Sequence, residues 1–409
     1  MDSKGLYERM RAVTPGGVSS PIRSYPPYPV FMDGGKGCTI WDVEGNEYID
    51  LCMAYGPLIL GHSDDDVRDA VNMQLQKGSV LGAPSVPELD LIEAMSKCLK
   101  GDMVRLANSG TEATTNVLRV ARGFTGRNGI AMVRGGFHGA NDNLMPSRPG
   151  VLDDVSKQVH QVEYNDAEAL ESLLADNDDI AAFILEPVPG NMGLISPRND
   201  YLRKVRAITE EYDTLLIFDE VITGFRLTDG CAQGYYDVKP DLTTLGKVIG
   251  GGFPVGAIAG RRDIMEDVAP NGKLYMSGTF AGNPVTAAAG KATIGKMQRV
   301  GNYLKINGHA SDLAKRLRET IEEFELNASV SSLGSMLQVF FGIDEPVDHE
   351  SSSKADARMY DEMFRFMLKR GVYLPPSQFE VCFMSLMHYP LAMDRVVEVF
   401  REFARTVKQ

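Results

Sequence analysis

The pattern of hydrophobic and polar positions changes at about residue 61. Before that point, short apolar runs at residues 30–32, 38–41 and 48–49 are separated by Gly- and Asn-containing turns and predict short strands. After it, apolar residues recur at helical spacing, and in residues 113–124 they fall three or four positions apart on one helix face. Between the helices lie continuous apolar runs, which are typical of parallel strands covered on both faces.

The order of these elements predicts an α/β fold with two domains. Predicted helices at 65–76, 89–99, 113–124, 167–174 and 201–212 alternate with predicted strands at 129–133, 180–185 and 215–218. After about residue 290 a long helical region, short strands near 337–341 and a helix at 393–406 predict a second, smaller domain. We therefore expect an N-terminal segment 1–60 that joins the small domain, a large domain 61–294 and a C-terminal small domain 295–409.

Composition narrows the classes of function. The chain has 409 residues, with 42 Lys and Arg against 55 Asp and Glu, a net charge of −13 and a pI near 5.1. Without a basic run it lacks the usual footprint of a nucleic-acid binder. Five scattered cysteines without a C-x-x-C pair, a polar N-terminus and the absence of a long apolar stretch predict a cytoplasmic protein with reduced thiols, no metal site and no membrane span. No P-loop, dinucleotide fingerprint, zincin or nucleophile-elbow motif occurs.

A candidate anion site directly precedes the apolar helix face. In Asn108-Ser109-Gly110-Thr111-Glu112-Ala113, a helix start places free backbone N–H groups beside short hydroxyls, and the helix dipole favours a phosphate there. The same residue types also form an ordinary N-cap with an acid in the first turn. This segment alone leaves both interpretations open.

Two segments carry charge in unusual places. Asp219 and Glu220 follow the apolar run 215–218, where ligands bind in open α/β sheets. An ionised Asp219 would need a cationic partner such as a protonated heterocycle nitrogen, although an acid capping the next loop is the alternative.

Lys247 lies between apolar residues and a triple glycine. In a desolvated pocket its neutral amine could attack an aldehyde, whereas a solvated loop lysine is the alternative.

A fourth segment, residues 135–139, supplies an aromatic ring. Phe137 between glycines could stack on a flat ring with His138 beside it, although Phe137 could equally be a core residue. Together the four segments provide a phosphate site, an aromatic stack, an acid for a ring nitrogen and a lysine for a Schiff base. These are the parts that pyridoxal phosphate requires, so the sequence predicts this cofactor.

Over essentially its whole length the sequence resembles the class III aminotransferases of pyridoxal-phosphate fold type I, and among these the glutamate-1-semialdehyde aminomutases. The matching segments are 15–23 (PGGVSSPIR), 56–57 (GP), 61–62 (GH), 82–84 (GAP), 108–113 (NSGTEA), 186–187 (EP) with 190–191 (GN), 218–226 (FDEVITGFR), 243–256, 278–279 (GT) with 282–284 (GNP), and 376–380 (PSQFE). The resemblance implies a large domain with a mostly parallel seven-stranded sheet, a smaller α+β domain and a homodimer.

The resemblance also implies roles for particular residues. Lys247 is expected to form the Schiff base with the cofactor and to move the proton, and Asp219 to pair with the pyridine nitrogen. The other expected cofactor contacts are Phe137, His138 and Val221 at the ring, Asn191 at the phenolic oxygen, Ser109, Gly110 and Thr111 at the phosphate, Gly278, and Thr279 from the neighbouring subunit. The residues expected to bind substrate are Arg23, Tyr55 and Glu380.

Two departures from the aminomutases concern the substrate. In that family a flexible loop after the stacking aromatic closes over the site and retains the intermediate. Here residues 143–150 run almost directly into Asp153, as in certain β-amino-acid aminotransferases. Tyr55 stands where the aminomutases carry a Trp. Without a lid we expect transfer between two substrates, so the sequence favours an intermolecular aminotransferase, with the aminomutase as the alternative.

Other classes of function are less favoured. A regulatory protein that binds pyridoxal phosphate without catalysis would not need Lys247, Asp219 and the phosphate motif together. A racemase or decarboxylase on the same scaffold stays open, because the cofactor supports these reactions and specificity depends on side-chain placement. The amino donor and acceptor are not identified by the sequence.

Overall fold

The described chain forms two compact units. The computed structural model describes residues 1–408, so only Gln409 of the predicted small domain lies outside the described residues. The small unit comprises Met1–Asp64, Leu304–Pro346 and the residues from Glu350 onwards, and the large unit comprises Asp65–Tyr303 with Val347–His349. Within residues 1–408, no helix combines the length and the apolar character that crossing a membrane requires.

Strands and helices are numbered separately in chain order. The strands are β1 Met32–Lys36, β2 Thr39–Asp42, β3 Glu47–Asp50, β4 Met103–Ala107, β5 Gly129–Val133, β6 Val159–Val162, β7 Ile180–Leu185, β8 Leu215–Glu220, β9 Leu242–Gly246, β10 Gly256–Gly260, β11 Ala328–Leu333, β12 Met336–Phe341, β13 Val372–Tyr373 and β14 Cys382–Phe383. The helices are α1 Ser3–Arg11, α2 Asp65–Leu75, α3 Val86–Cys98, α4 Gly110–Thr125, α5 Asp153–Ser156, α6 Ala167–Asp176, α7 Tyr201–Glu211, α8 Cys231–Tyr236, α9 Arg262–Met265, α10 Pro284–Met297, α11 Asn302–Phe324, α12 His349–Ser353, α13 Ala357–Leu368 and α14 Pro390–Lys408.

The large unit is built on a seven-stranded sheet in the order β4-β10-β9-β8-β7-β5-β6. Strands β9, β8, β7, β5 and β6 are parallel, and β10 runs antiparallel to both of its neighbours. Every residue of β7 and β8 is buried, as their continuous apolar runs predict. The mostly parallel seven-stranded sheet predicted from the family resemblance is therefore confirmed.

Helix α4 covers one face of this sheet and positions the candidate phosphate site. Its residues Ala113, Val117, Val120 and Ala121, which lie on the predicted apolar face, are fully buried in one hydrophobic cluster with residues of β5, β7, β8 and β10. The opposite face of the sheet packs against residues of α6 and α7 in a second cluster. The amino end of α4 consequently lies beside the carboxyl ends of the central strands.

The small unit contains a four-stranded sheet, β1-β2-β3-β13, and a three-stranded sheet, β11-β12-β14. The strand predicted at residues 30–32 was wrong in position, because β1 begins at Met32 and continues through two glycines. Gly34 pairs with Trp41 of β2, and a Cβ atom on Gly34 would lie 2.5 Å from the Trp41 ring. The indole ring occupies this space, so the strand needs glycine where β-propensity would exclude it.

Candidate active site

Three segments of the large unit meet at Val221, directly after β8. A Cβ atom on Gly110, the first residue of α4, would lie 3.1 Å from Val221 Cγ1, and one on Gly246, the last residue of β9, would lie 3.2 Å from it. Lys247 follows Gly246 in a 3-10 turn and has a positive φ of 48°. The candidate phosphate site, the acid-bearing strand and the lysine therefore share one edge of the sheet, as expected for ligand sites in α/β proteins.

Asp219 is buried and accepts three hydrogen bonds. Its Oδ1 accepts from the Thr244 hydroxyl at 2.8 Å and from the Val221 N–H at 3.1 Å, and its Oδ2 lies 2.6 Å from His138 Nδ1. Asp219 and Thr244 are direct register partners of β8 and β9, so their side chains project from the same face of the sheet. A carboxylate offers about four acceptor positions. Counted over the residues that the structure describes, these donors leave one position, on Oδ2, for a further donor.

His138 is fixed from both sides. Its backbone carbonyl accepts a hydrogen bond from the Thr114 hydroxyl of α4 at 2.7 Å. Burial by itself disfavours the charged imidazole, but the hydrogen bond to Asp219 and the charges of Asp219 and Glu186 outweigh it, so the pKa of His138 lies above its usual value. Among the described residues, its buried Nε2 finds no hydrogen-bond partner.

The first turn of α4 fits both interpretations of the Ser-Gly-Thr segment. Ser109 is the N-cap, and its hydroxyl oxygen accepts from the Glu112 N–H at 3.1 Å. The N–H groups of Gly110 and Thr111 come before that of Ala113, which donates to the Ser109 carbonyl in the first turn, so they have no intrahelical acceptor and point out of the helix end. Thr111 Oγ1 accepts from the Ala140 N–H at 3.2 Å, which leaves the hydroxyl proton for another acceptor. Both hydroxyls and the helix end can therefore donate to a phosphate.

The loop that carries Phe137 and His138 is attached to the same turn. A Cβ atom on Gly139, whose φ is +84°, would lie 2.4 Å from Thr111 Oγ1, so only glycine allows this close approach. The Phe137 side chain is 53% exposed. The alternative that Phe137 belongs to the core is therefore wrong, and its ring is free to cover a ligand.

A second buried acid, Glu186, lies just after β7. Its two oxygens accept from Asn191 Nδ2 at 3.1 and 3.0 Å, and one also accepts from the Gly190 N–H at 3.0 Å. Burial raises the pKa of Glu186, although the neighbouring His138 and these donors oppose the shift. The sequence alone does not predict a separate role for Glu186. An acid directly after a fully apolar strand, the signal that identified Asp219, could have found it.

Glu220 belongs to the other face of the sheet. Its carboxylate accepts from the backbone N–H groups of Ala232 and Gln233, from Gln233 Nε2 and from the Thr223 hydroxyl. It therefore holds the start of α8, and burial raises its pKa to about 7. Each of the two interpretations applies to one of these acids. Glu220 caps the segment that follows, and Asp219 faces the candidate site.

Gly278 and Thr279 line a separate cleft of about 620 Å³ in the large unit. Glu112 of α4 and residues 80–84 also line it. Thr279 is exposed, as are the apolar side chains of Leu81 and Phe280, at 53% and 60%. Apolar exposure of this kind is typical of an interaction surface.

The three predicted substrate residues are neighbours in the small unit. The Tyr55 hydroxyl donates to the carbonyl of Ile22 at 3.0 Å, directly before Arg23. Burial raises the pKa of Tyr55, and the charge of Glu380 adds to this while that of Arg23 opposes it, so both charges act on one phenol. Tyr55 ends a turn in which Met53, Ala54 and Tyr55 have φ values of 45°, 55° and 64°. Such a left-handed turn of non-glycine residues is strained and is typical of functional sites.

The Asp50 carboxylate holds this turn. Its Oδ1 accepts from the N–H groups of Cys52 and Met53 at 2.8 and 2.9 Å, and its Oδ2 lies 2.7 Å from His62 Nε2. These bonds satisfy backbone groups that the left-handed conformation takes away from regular structure. The residues around Asp50 in the sequence do not indicate this role, because the groups it binds are recognisable only in the folded turn.

The chain belongs to the class III aminotransferase family, whose model matches residues 22–389. It is 46% identical to the glutamate-1-semialdehyde 2,1-aminomutase of Methanothrix thermoacetophila over 98% of this chain and 96% of the relative. It is 44% identical to that of Methanothermobacter thermautotrophicus over 100% of both. It also superposes on an omega-transaminase from Sphaerobacter thermophilus with a TM-score of 0.94 and 29% identity, covering 100% of this chain and 98% of that one. The predicted family and its pyridoxal-phosphate fold are thus confirmed.

The length of one alignment bears on the predicted loop deletion. The alignment with the Methanothermobacter relative runs over 424 positions, whereas this chain has 409 residues, a difference of 15. The chain therefore lacks about fifteen residues that this relative has, which is consistent with a shortened loop.

Proposed function

We propose that this enzyme transfers amino groups with pyridoxal phosphate bound at the edge of the sheet where Asp219 and Lys247 lie. The observation that carries the proposal is the acceptor position left on Asp219 Oδ2, which fits the N–H of a protonated pyridine ring. The first turn of α4 fits the phosphate, and the exposed Phe137 ring fits one face of the cofactor, with Val221 at the other. Together these features match the cofactor's three recognition elements.

When bound, the cofactor would supply an electron sink for negative charge at the amino-bearing carbon of the substrate. The chain's own residues supply the rest. Lys247 Nζ would hold the cofactor and move the proton between carbon atoms, and Asp219 would keep the ring nitrogen protonated. Asn191, whose amide is held by Glu186, would donate to the phenolic oxygen. In the small unit, Arg23 binds a substrate carboxylate as a two-pronged ion pair, with Tyr55 and Glu380 beside it.

For the reaction itself we propose glutamate-1-semialdehyde 2,1-aminomutase activity. The sequence alone slightly favours intermolecular transfer, but 44–46% identity to aminomutases over nearly the full length of both chains supports the mutase. The neighbouring Arg23, Tyr55 and Glu380 also fit a small substrate that carries a carboxylate.

Intermolecular transamination is the second candidate, and the segment after His138 favours it. This segment forms a 3-10 turn at Asp142–Leu144 and then helix α5. Asn143 accepts a hydrogen bond from Arg122 of α4 at 2.7 Å, and the Ser147 N–H donates to the Ser156 hydroxyl at 3.2 Å. This short segment is hydrogen-bonded to α4 and within itself. It therefore does not form a lid that would retain an intermediate.

A coupled assay separates the two candidates. The purified enzyme with bound pyridoxal phosphate is given glutamate 1-semialdehyde without a co-substrate, and 5-aminolevulinate is measured. Formation of 5-aminolevulinate supports the mutase. Its absence, together with amino transfer from an amino acid to an added 2-oxo acid, would replace the mutase by the transaminase. The Lys247→Ala variant is the control: it should lose turnover and the visible absorption of bound cofactor, and undiminished turnover would overturn the site.

We further propose that the chain works as a cytoplasmic homodimer with Thr279 reaching the partner's cofactor. The exposed Leu81 and Phe280 around the cleft support a covered surface. Sedimentation should give about twice 44.8 kDa, and a monomer that is active at all concentrations would contradict the dimer. Lys247→Ala chains refolded with Thr279→Ala chains should regain activity, because one of the two composite sites then carries neither substitution. If Thr279 served its own chain, no intact site would form.

A further inference from the structure

Thr244 and its neighbour Thr243 are both fully buried on β9, but their hydroxyls have different hydrogen-bond partners. Thr244 pairs with Asp219 of β8, and Thr243 pairs with Phe218, so the two hydroxyls lie on opposite faces of the sheet. The Thr243 hydroxyl accepts a hydrogen bond from Gln233 Nε2 at 3.1 Å and belongs to the network around Glu220. Only the Thr244 hydroxyl contacts the acid proposed to bind the cofactor ring.

The Thr244 hydroxyl must donate in its contact with Asp219, because an ionised carboxylate only accepts. It shares Oδ1 with the Val221 N–H, so both acceptor positions of that oxygen are filled. His138 fills one position of Oδ2. Together the three donors fix the rotation of the carboxylate and leave a single open position for a ring N–H.

We infer that Thr244 is a positioning residue that sets the strength of the bond between Asp219 and the cofactor's ring nitrogen. This inference rests on the proposed function, since it needs pyridoxal phosphate at this edge. Without the hydroxyl, Oδ1 regains an open position in a buried site. The carboxylate can then turn away from the ring or take up the proton itself, and in both cases its bond to the ring N–H weakens.

The experiment compares two ligands on the apoenzyme of each variant. The ligands are pyridoxal phosphate and an analogue whose ring nitrogen is replaced by carbon, and their dissociation constants are measured by titration. Thr244→Val keeps the side-chain shape and removes the donor. We expect it to weaken pyridoxal phosphate binding about tenfold, the usual effect of losing one hydrogen bond to a charged group. The analogue, which has no ring N–H, should lose less than about twofold.

Three controls make the result decisive. Thr244→Ser retains a hydroxyl and should bind pyridoxal phosphate within about threefold of the wild type, and Thr243→Val should bind like the wild type. Thermal unfolding of each apoenzyme checks the fold. Equal losses for both ligands in Thr244→Val, or no rescue by serine, would overturn the role of Thr244. Failure of the wild type to bind pyridoxal phosphate would instead overturn the proposed function.

Discussion

His388 should make the small unit sensitive to acid. The imidazole is buried, its Nδ1 accepts from the Ser385 N–H at 2.9 Å, and its Nε2 donates to the backbone carbonyl of Asp50 at 3.0 Å. Both nitrogens are committed in the neutral form. Protonation of Nδ1 would set its N–H against the N–H of Ser385, and Nδ1 would have to donate to the Ser385 hydroxyl, 3.0 Å away, instead. Burial lowers the pKa of His388 from 6.5 to about 4, although the charge of Asp50 opposes the shift.

The size of the effect follows from this pKa. The folded chain binds the proton at His388 less readily than the unfolded chain. The contribution of neutral His388 to the free energy of unfolding is therefore fully present above pH 6.5 and is lost as the pH falls towards 4. Each pKa unit corresponds to about 1.4 kcal/mol. Between about pH 8 and pH 5 the free energy of unfolding should fall by about 2 kcal/mol from this residue alone. The loss bears on function, since Asp50 also holds the turn that ends at Tyr55.

The assay uses Trp41, the chain's single tryptophan, which lies on β2 of the same unit. Urea unfolding followed by its fluorescence gives the free energy of unfolding at each pH. The variant His388→Gln should be less stable by about 1–3 kcal/mol at pH 8, because hydrogen bonds are lost, but its decline towards pH 5 should be shallower by about 2 kcal/mol. His309→Gln, which removes a neighbouring and less buried imidazole, should change the slope less. If wild type and His388→Gln decline in parallel, the reasoning is refuted.

Four further substitutions test other parts of the structure. Phe137→Ala should leave the unfolding free energy of the apoenzyme within about 0.5 kcal/mol while raising the dissociation constant of pyridoxal phosphate about tenfold through lost stacking; an unchanged constant would contradict the ring contact. Gly290→Ala places a Cβ atom 1.9 Å from the carbonyl oxygen of Ile249 and should destabilise by about 1–3 kcal/mol. Gly295→Ala, in the same helix with nothing within 4 Å, should stabilise by up to about 1 kcal/mol in thermal unfolding. Tyr55→Phe should raise KM for the amino substrate more than it lowers kcat, and the opposite split in steady-state kinetics would exclude a binding role.

The sequence predicts elements well where the signal is local. Helix α4 and strands β5 and β7 were predicted within a few residues, because their apolar periodicity is contained in the segment itself. Strands β9 and β10 were not predicted. The sequence of β10, Gly-Ala-Ile-Ala-Gly, has low β-propensity, and β9 is short and ends in a glycine-rich segment, so neither carries a clear local strand signal; both are strands in the sheet, where β9 pairs with β8 and β10. Such pairing is a property of the tertiary structure.

The site follows the same division. The sequence indicates the residues Lys247, Asp219 and His138 from their types and neighbours. It does not indicate that His138 Nδ1 bonds to Asp219, since the two are 81 positions apart and meet only because β5 and β8 lie in one sheet with a particular register. For the same reason the sequence does not indicate a role for Thr244. Its role depends on lying opposite Asp219, and a shift by one residue would place Thr243 there.

The contrast between Asp219 and Glu220 explains why one of two adjacent buried acids serves the site. A strand alternates its side chains, so the two carboxylates leave β8 on opposite faces. Glu220 meets four donors, which fill its acceptor positions and commit it to the start of α8. Asp219 meets three. In a buried carboxylate an unfilled acceptor position lowers stability, and a ligand that donates a proton there regains that stability on binding. The incomplete set of donors at Asp219, more than its charge, therefore supports the proposal that Asp219 is the acid that pairs with the cofactor ring.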